Sequence, residues 1–226
     1  MQFYELICIL SLEQDLKHTE AYEYLSRLIS GAMLLDGELK EFHESKQMKP
    51  LNFCNLYPVE MDRVYRKGRL YRFNIRSFNP ELIIKLKYLM IKAHKDKILM
   101  NEIKQRHYKV ISGITTLTPA CATVGERSWV KEDGLPILMS RIVSNTARKC
   151  KMVFGEFEER EEEFFECIEV ISNQGTKIPY KQGSFLGYKL KLLIKPDELS
   201  QKLAFTIMGC GILEKNTIGL GFCRAR

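Results

Sequence analysis

The sequence has few residues of the kinds that hold metals or disulfide bonds. Its seven cysteines are scattered and odd in number, no pair is spaced as Cys-x-x-Cys, and there are only four histidines. No compact group of Asp, Glu and His has the spacing of metal ligands, and no Gly-Lys-Ser/Thr of a P-loop occurs. We therefore expect no metal, no cofactor and reduced thiols in a cytoplasmic protein.

Long apolar runs are also missing. No stretch approaches the roughly 20 residues that span a bilayer, so we expect no membrane association. The apolar start, MQFYELICIL, has no basic region and no small-residue cleavage site, and is interpreted as a strand rather than a signal peptide. A chain of 226 residues with 45% hydrophobic and 28% charged residues suits two small folded domains.

The charge is unevenly distributed. The formal net charge is +7, with a pI near 9.0. Cations crowd residues 63–76, whereas residues 156–163 are strongly acidic and are interpreted as a solvated connector. A one-sided positive field favours a polyanion on one surface, although such a balance also occurs in proteins that bind no nucleic acid.

The first half of the chain predicts strands and helices in the order β-α-β-β-α-β. In Arg69–Ile75, apolar residues alternate with Arg72, Asn74 and Arg76, which places cations on one face of a strand. This order is the ferredoxin-like arrangement shared with RNA-recognition modules. The predicted elements are a strand over Phe3–Leu12, a helix from Thr19 to Leu35 with a further turn towards His43, strands over Leu51–Leu56 and Arg69–Ile75, a helix from Pro80, and a strand over Ile103–Ser112.

The second half predicts a less regular copy of the same order. We therefore predict an α+β protein of two tandem ferredoxin-like domains, residues 1–112 and 113–226. The predicted elements are strands over Ile114–Val124, Phe164–Ser172 and Phe185–Ile194, a helix over Leu135–Phe154, a helical turn at Pro196–Ser200, and strands over Leu203–Met208 and Ile218–Cys223.

A glycine-rich segment closes the chain. Two Gly-x-Gly pairs, Gly209/Gly211 and Gly219/Gly221, flank a polar tip that contains Lys215 and Asn216. Glycine lets a backbone approach another chain closely, so that successive N–H groups point at an anion. A plain glycine-bearing β-hairpin explains the same local chemistry equally well.

The segment resembles the C-terminal glycine-rich loop of the CRISPR-associated repeat-processing endoribonucleases of the RAMP superfamily. The match is Gly-x-Gly, then Glu-Lys-Asn-Thr, then Ile-Gly-Leu-Gly-Phe. Ile114-Thr-Thr-Leu-Thr-Pro-Ala-Cys-Ala-Thr-Val124 is similar to the strand that opens the second domain of that family, and Ile178–Tyr188 is similar to a later hairpin. The resemblance implies tandem ferredoxin-like domains with RNA bound along the cleft.

The resemblance also implies a catalytic site. A histidine after the first helix, followed by a lysine and an apolar strand, matches His43 and Lys49, with Lys46 as a substitute because the register of the short loop is open. Ser30 stands where many members have a tyrosine. Histidine can move protons near neutral pH, and a lysine beside the scissile phosphate can stabilise the developing charge.

The predicted function is metal-independent cleavage of CRISPR precursor transcripts within the repeat by 2′-hydroxyl attack. The alternatives are a catalytically inactive RNA-binding subunit of a CRISPR effector complex and a small-molecule enzyme on the same scaffold. Repeat RNA is the predicted partner, and membership of an effector complex and formation of a homodimer are left open. The predicted RNA-binding residues are Arg72, Arg76, His107, Lys189, Lys191, Gly209, Gly211, Lys215, Asn216, Gly219 and Gly221.

Overall fold

The computed structural model describes residues 1–155 and 162–226. The acidic connector predicted at 156–163 therefore falls largely outside the described residues. The helices are α1 (Ala21–Met33), α2 (Gly37–Glu44), α3 (Pro80–Ala93), α4 (Leu135–Phe154) and α5 (Glu198–Cys210). The strands are β1 (Phe3–Ser11), β2 (Leu16–Lys17), β3 (Leu51–Phe53), β4 (Val64–Tyr65), β5 (Leu70–Ser77), β6 (Ile98–Arg106), β7 (Gly113–Thr116), β8 (Thr123–Val124), β9 (Arg127–Ser128), β10 (Phe165–Val170), β11 (Thr176–Tyr180), β12 (Gly183–Gly187), β13 (Leu190–Ile194) and β14 (Cys223–Ala225).

The N-terminal half forms a four-stranded antiparallel sheet in the order β3-β5-β1-β6. Alternate residues of β1, including Leu6, Cys8 and Leu10, pack into a core that also holds Leu25 of α1 and Leu86 of α3. Both helices thus cover one face of the sheet. The strand order and the two crossover helices are those of a ferredoxin-like fold.

The C-terminal half repeats this plan. Its sheet has the order β10-β13-β7-β14, again antiparallel throughout. Helices α4 and α5 supply Ile142 and Phe205 to its core, together with Leu192 of β13. The predicted fold class, an α+β protein of two tandem ferredoxin-like units, is therefore confirmed. Residues 107–112 connect the two sheets, and the predicted domain limits of 1–112 and 113–226 stay a prediction.

The main correction concerns the region before the last strand. Leu203–Met208, predicted as a strand, belongs to α5, and the helical turn predicted at Pro196–Ser200 is the start of that helix, where the carboxylate of Asp197 accepts from the Ser200 amide. Residues 203–210 are all buried, so the helix has no polar face. Polar residues do not recur at helical spacing in this run, so the sequence alone does not distinguish it from a buried strand.

Strand limits also differ from the predictions. Ile114–Val124 is two short strands, β7 and β8, because the chain turns through Pro119 between them. The last strand is β14 rather than Ile218–Cys223, since Gly219 and Gly221 have φ of 89° and 69° and keep the chain in a loop. None of the helices in the described ranges is both long enough and apolar enough to cross a membrane.

Candidate nucleic-acid interface

A cleft of about 950 Å³ lies between the two halves of the chain. One wall comes from β5 and the β2–β4 region, and the other comes from residues 117–119, Lys189 and Phe222. Seven side chains able to carry positive charge line it, together with the carboxylates of Glu5 and Asp62. The seven are Lys17, His18, Arg63, Arg72, Arg76, Arg106 and Lys189. We call this the interdomain cleft.

His18 also lines the interdomain cleft. Its ring is stacked 6.0 Å from the Tyr65 ring at 30° and meets Tyr22 edge-on. Burial, and then the charges of Arg63 and Lys189, lower the pKa of His18. A neutral imidazole on an aromatic shelf is suited to stacking against a planar group such as a nucleobase.

The cation-rich stretch at 63–76 is less positive than its composition indicates. Arg66 forms ion pairs with Asp15 and Asp62, and Arg69 forms one with Glu60. In contrast, Arg72 is exposed, and within the part of the chain that the structure describes its guanidinium donates only to the amide oxygen of Asn74, at 3.0 Å. The structure therefore keeps Arg72 available to an anion and neutralises much of the rest.

Arg76 is a correction. The sequence predicted an RNA-binding cation, but its side chain is only 8% exposed. Its guanidinium donates to Glu5 at 2.7 Å and to the carbonyl oxygens of Met208 and Cys223 at 3.2 and 2.7 Å, and lies 4.0 Å from the centre of the Phe222 ring. Strand alternation placed Arg72 and Arg76 on the same face, but the second half of the chain covers that face at the Arg76 end.

A second, smaller groove of about 460 Å³ joins the segment after α2 to the glycine-rich segment. Its walls carry Lys46, Lys49, Arg148, Lys149 and Lys215. Within residues 1–155 and 162–226, none of these five cations forms an ion pair. The one carboxylate in the wall, Glu214, is already paired with Arg141 at 2.6 Å. We call this the lysine groove; its unneutralised charge suits a phosphate group.

The predicted catalytic residues are only partly brought together. Lys46 and Lys49 face the lysine groove, whereas His43 and Ser30 are not among the described residues that line it. His43 is half-buried in the last turn of α2. The chain then folds back, because the Lys49 ammonium donates to the Ser45 carbonyl at 2.6 Å and lies 5.8 Å from the centre of the Phe42 ring.

This fold-back ties Lys49 to the end of the helix that carries His43. Burial lowers the pKa of Lys49. Ser30 lies half-buried on α1, a helix that packs against α2 and against the Asn216–Ile218 turn of the glycine-rich segment. The roles assigned to His43, Ser30, Lys46 and Lys49 stay predictions.

The glycine-rich segment is built differently from an anion-binding hairpin. Gly209 lies inside α5 against the Phe78 ring, and Asn216 is 7% exposed, with its amide donating to the carbonyls of Ile212 and Leu220. The Asn216 side chain therefore forms its hydrogen bonds within the loop, and its predicted contact with RNA stays a prediction. We call residues 211–222 the glycine loop.

The carbonyl oxygens of Gly211 and Leu213 in this loop point inward at a buried cation, Lys149. Two of the loop residues predicted to bind RNA, Lys215 and Asn216, line the lysine groove. Glycine is required at Gly211, Gly219 and Gly221, which have φ of 82°, 89° and 69°. These glycines shape the loop, and the prediction that they contact RNA stays a prediction.

Gly221→Ala is expected to destabilise the protein by at least about 2 kcal/mol, because of its positive φ and because a Cβ would overlap the Ile212 carbonyl oxygen. Gly183→Ala is the matched control, since the nearest atom to its added Cβ is 4.0 Å away. Urea unfolding followed by circular dichroism measures both. Equal stability of the two variants would contradict this account of the loop.

The other predicted RNA-binding residues lie apart. Lys189 is exposed in the interdomain cleft. Lys191 is exposed on β13, 3.8 Å from Glu169, and His107 is exposed just after β6. Neither Lys191 nor His107 lines the interdomain cleft or the lysine groove among the described residues.

Sequence reasoning missed six basic residues of these surfaces, Lys17, His18, Arg63, Arg106, Arg148 and Lys149. They come from distant segments, and each alone has the pattern of an ordinary surface residue. In the described part of the chain, no three His, Cys, Asp or Glu side chains are grouped so as to hold a metal ion.

Comparison with solved structures gives full-length matches. A Cas6-related protein from Pyrococcus furiosus matches with a TM-score of 0.70 and 16% identity, over 100% of this chain and 99% of that chain. A structure described as an RAMP protein binding different RNA substrates matches with the same values. A Thermus thermophilus Cas6 matches with a TM-score of 0.63 and 15% identity, over 100% and 98%. The chain has the fold of Cas6.

The Cas6-like fold is shared from end to end, although the sequences have diverged widely. No protein-family model matches the sequence, and no curated protein matches it. One fold hosts many functions, so the fold alone does not give the function of this chain. The function is therefore proposed from the side chains of the interdomain cleft and the lysine groove.

Proposed function

We propose that the chain is an endoribonuclease that cleaves CRISPR precursor transcripts within the repeat, without a metal ion. The lysine groove carries this proposal, because it joins the segment predicted to be catalytic to the glycine loop in one positive concavity. A scissile phosphate there would lie among Lys46, Lys49, Arg148 and Lys215. These cations would stabilise the charge that grows on the phosphate oxygens.

The chemistry requires no further cofactor, since RNA supplies its own nucleophile, the 2′-hydroxyl. His43, in the last turn of the helix to which Lys49 is tied, is the proposed proton-transfer group. The 2′-hydroxyl gives up its proton as its oxygen attacks phosphorus, the bond to the 5′-oxygen breaks, and the 5′-oxygen takes up a proton; His43 is proposed to carry out one of these two transfers. The products are a 2′,3′-cyclic phosphate and a 5′-hydroxyl.

RNA flanking the cut is proposed to occupy the interdomain cleft. The glycine loop connects the two surfaces, because its residues 213–217 line the lysine groove and Phe222 lines the cleft. Arg72, Arg63 and Lys189 would contact phosphates there, and His18 would stack on a base. Solved structures that share the fold include one described as an RAMP protein binding different RNA substrates, a Cas6 product complex and a Cas6 substrate-mimic complex, which supports RNA as the ligand.

A second candidate function is binding of repeat RNA without cleavage. The observation that favours it is the position of His43, which does not line the lysine groove among the described residues. In that case the cations of the groove would hold a phosphate without a proton-transfer group beside it.

The experiment is cleavage of an end-labelled CRISPR repeat RNA by the pure protein in excess EDTA. We expect a single cut that survives chelation and disappears when the repeat is synthesised with 2′-deoxyriboses, because the nucleophile is then missing. Analysis of the product ends checks for the cyclic phosphate. Tight binding with no cut supports the second candidate, and cutting that EDTA abolishes would contradict the metal-independent mechanism.

A further inference from the structure

Lys149 of α4 is the most deeply buried cation in the glycine loop region, only 3% exposed. Its ammonium donates to three oxygens of the loop, the carbonyls of Gly211 at 2.7 Å and Leu213 at 2.5 Å and the side-chain oxygen of Asn216 at 2.6 Å. An ammonium group has three N–H donors. All three are used within the protein, so none is left for a substrate.

The loop is wrapped around this ammonium. Asn216 accepts from Lys149 and uses its own amide to donate to the carbonyls of Ile212 and Leu220, at 3.1 and 2.9 Å. One ammonium and one amide therefore donate to four inward-pointing carbonyl oxygens, those of Gly211, Ile212, Leu213 and Leu220. None of these four residues lies in a strand of the described structure. Unpaired buried carbonyls are costly, so the loop conformation depends on the Lys149 ammonium.

The same loop holds backbone conformations that are unfavourable on their own. Leu213 and Lys215 are not glycines, yet they have φ of 56° and 61°. Such residues persist where the surrounding structure over-determines them, and they cluster at functional sites. Both flank Glu214, which is anchored to Thr123 and Arg141, so the tip that presents Lys215 is fixed on each side.

We infer that Lys149 is a positioning residue: it holds the glycine loop in the shape that presents Lys215 to a phosphate in the lysine groove. The inference rests on the proposed function. Lys215 is the loop's own cation in the groove, with its ammonium 5.0 Å from the centre of the Phe185 ring. A substitution of Lys149 leaves Lys215 in the chain but removes the hydrogen bonds that hold the loop backbone on either side of it.

Lys149 is charged at neutral pH although its surroundings lower its pKa. Burial, opposed by the nearby Cys210, Cys223 and Glu214 and reinforced by Arg148, lowers the pKa of Lys149 to about 8. The ammonium is thus mostly present at pH 7. A neutral amine would donate no more than two of the three hydrogen bonds.

The test is a double-mutant cycle of Lys149→Met and Lys215→Ala on the full chain, read as affinity for the repeat RNA at several salt concentrations. Lys215→Ala is expected to weaken binding about tenfold in the parent protein and less than about twofold in Lys149→Met, since residues that act together are not additive. The salt slope should fall by about 1 in either single variant and no further in the double variant. Lys151→Met, an exposed lysine on the same helix, is the matched control.

The outcomes separate the two proposals. If Lys215→Ala weakens binding about tenfold in both backgrounds, Lys149 does not position Lys215 and this inference fails while the lysine groove stands. If Lys215→Ala has no effect on binding in the parent, the groove does not hold the RNA phosphate, and both proposals fail.

Lys149→Met needs a check of folding by circular dichroism, because three oxygens lose their donor. If it does not fold, Lys149→Ala refolded with n-butylammonium chloride replaces it, with tetramethylammonium chloride as the control that has no N–H donor. Recovery of RNA affinity with n-butylammonium alone supports the inference. Equal recovery with both salts, or with neither, overturns it.

Discussion

His43→Ala is expected to lower the rate of repeat cleavage by about 10²–10⁴-fold while leaving affinity for the repeat within about twofold of the parent, because proton transfer is worth that much to the chemical step and little to binding. Single-turnover cleavage with protein in excess measures the chemical step directly. A filter-binding assay with a 2′-deoxy repeat measures affinity without cleavage.

The experiment can separate an effect on catalysis from an effect on binding, because His43 and the two lysines lie on different parts of the site. Lys46 and Lys49 line the lysine groove, so their loss should weaken binding as well as catalysis. His43 is in the last turn of α2 and does not line the groove among the described residues, so its loss should leave the binding of the phosphate unchanged. A change confined to the rate is therefore the signature of a proton-transfer group.

Lys40→Ala provides the control for this experiment. Lys40 is exposed on the same helix, three residues before His43, and makes no side-chain hydrogen bond within the described residues. It should change neither rate nor affinity. Full activity of His43→Ala would remove the proposed role of this histidine and move the search to His18, the histidine that faces the interdomain cleft.

The fold could be predicted from sequence because its main elements have clear periods. The strand at the N-terminus, the helix over Leu135–Phe154 and the alternation in β5 are all found where the pattern placed them. Helix α5 could not be predicted, since its apolar residues are buried on every side and its period is lost. Tertiary burial overrides local pattern in such segments.

The candidate site shows the same division. The segment with Lys46 and Lys49 and the tip with Lys215 were predicted as functional, and the structure places them in one groove. The burial of Arg76 and Asn216 could not be predicted, because a polar side chain in the sequence does not reveal whether its partners are water or buried carbonyls. Lys149 had no signal at all, because one lysine within a helix is ordinarily a surface residue.

The buried position of Arg76 leads to the second large effect. Arg76→Met is expected to lower the free energy of unfolding by about 3–5 kcal/mol, the usual cost of removing one partner of a buried ion pair. Glu5, which is 1% exposed, would keep only Arg106 as its ionic partner among the described residues, and the carbonyls of Met208 and Cys223 would lose a donor. Arg72→Met, four residues earlier on the same strand and exposed, should change stability by no more than about 0.5 kcal/mol.

The pH dependence of the Arg76→Met effect tests its cause. Burial by itself raises the pKa of Glu5, but Arg76 and Arg106 outweigh it and hold the pKa below the ordinary value of 4.5. A carboxylate with a lowered pKa stabilises the fold above the unfolded-state value, and that contribution is lost as the pH falls through the folded-state value. The stability difference between the parent and Arg76→Met should therefore be full near neutral pH and shrink below pH 4.5.

Adding Glu5→Gln to Arg76→Met should recover part of the loss, because the buried charge is gone. Urea unfolding at a series of pH values measures all three proteins. A loss under about 1 kcal/mol at neutral pH would mean that the buried ion pair of Glu5 and Arg76 does not stabilise the fold as expected. Since Arg76 reaches from β5 to backbone of α5 and β14, the same variant should also loosen the interdomain cleft and weaken RNA binding there.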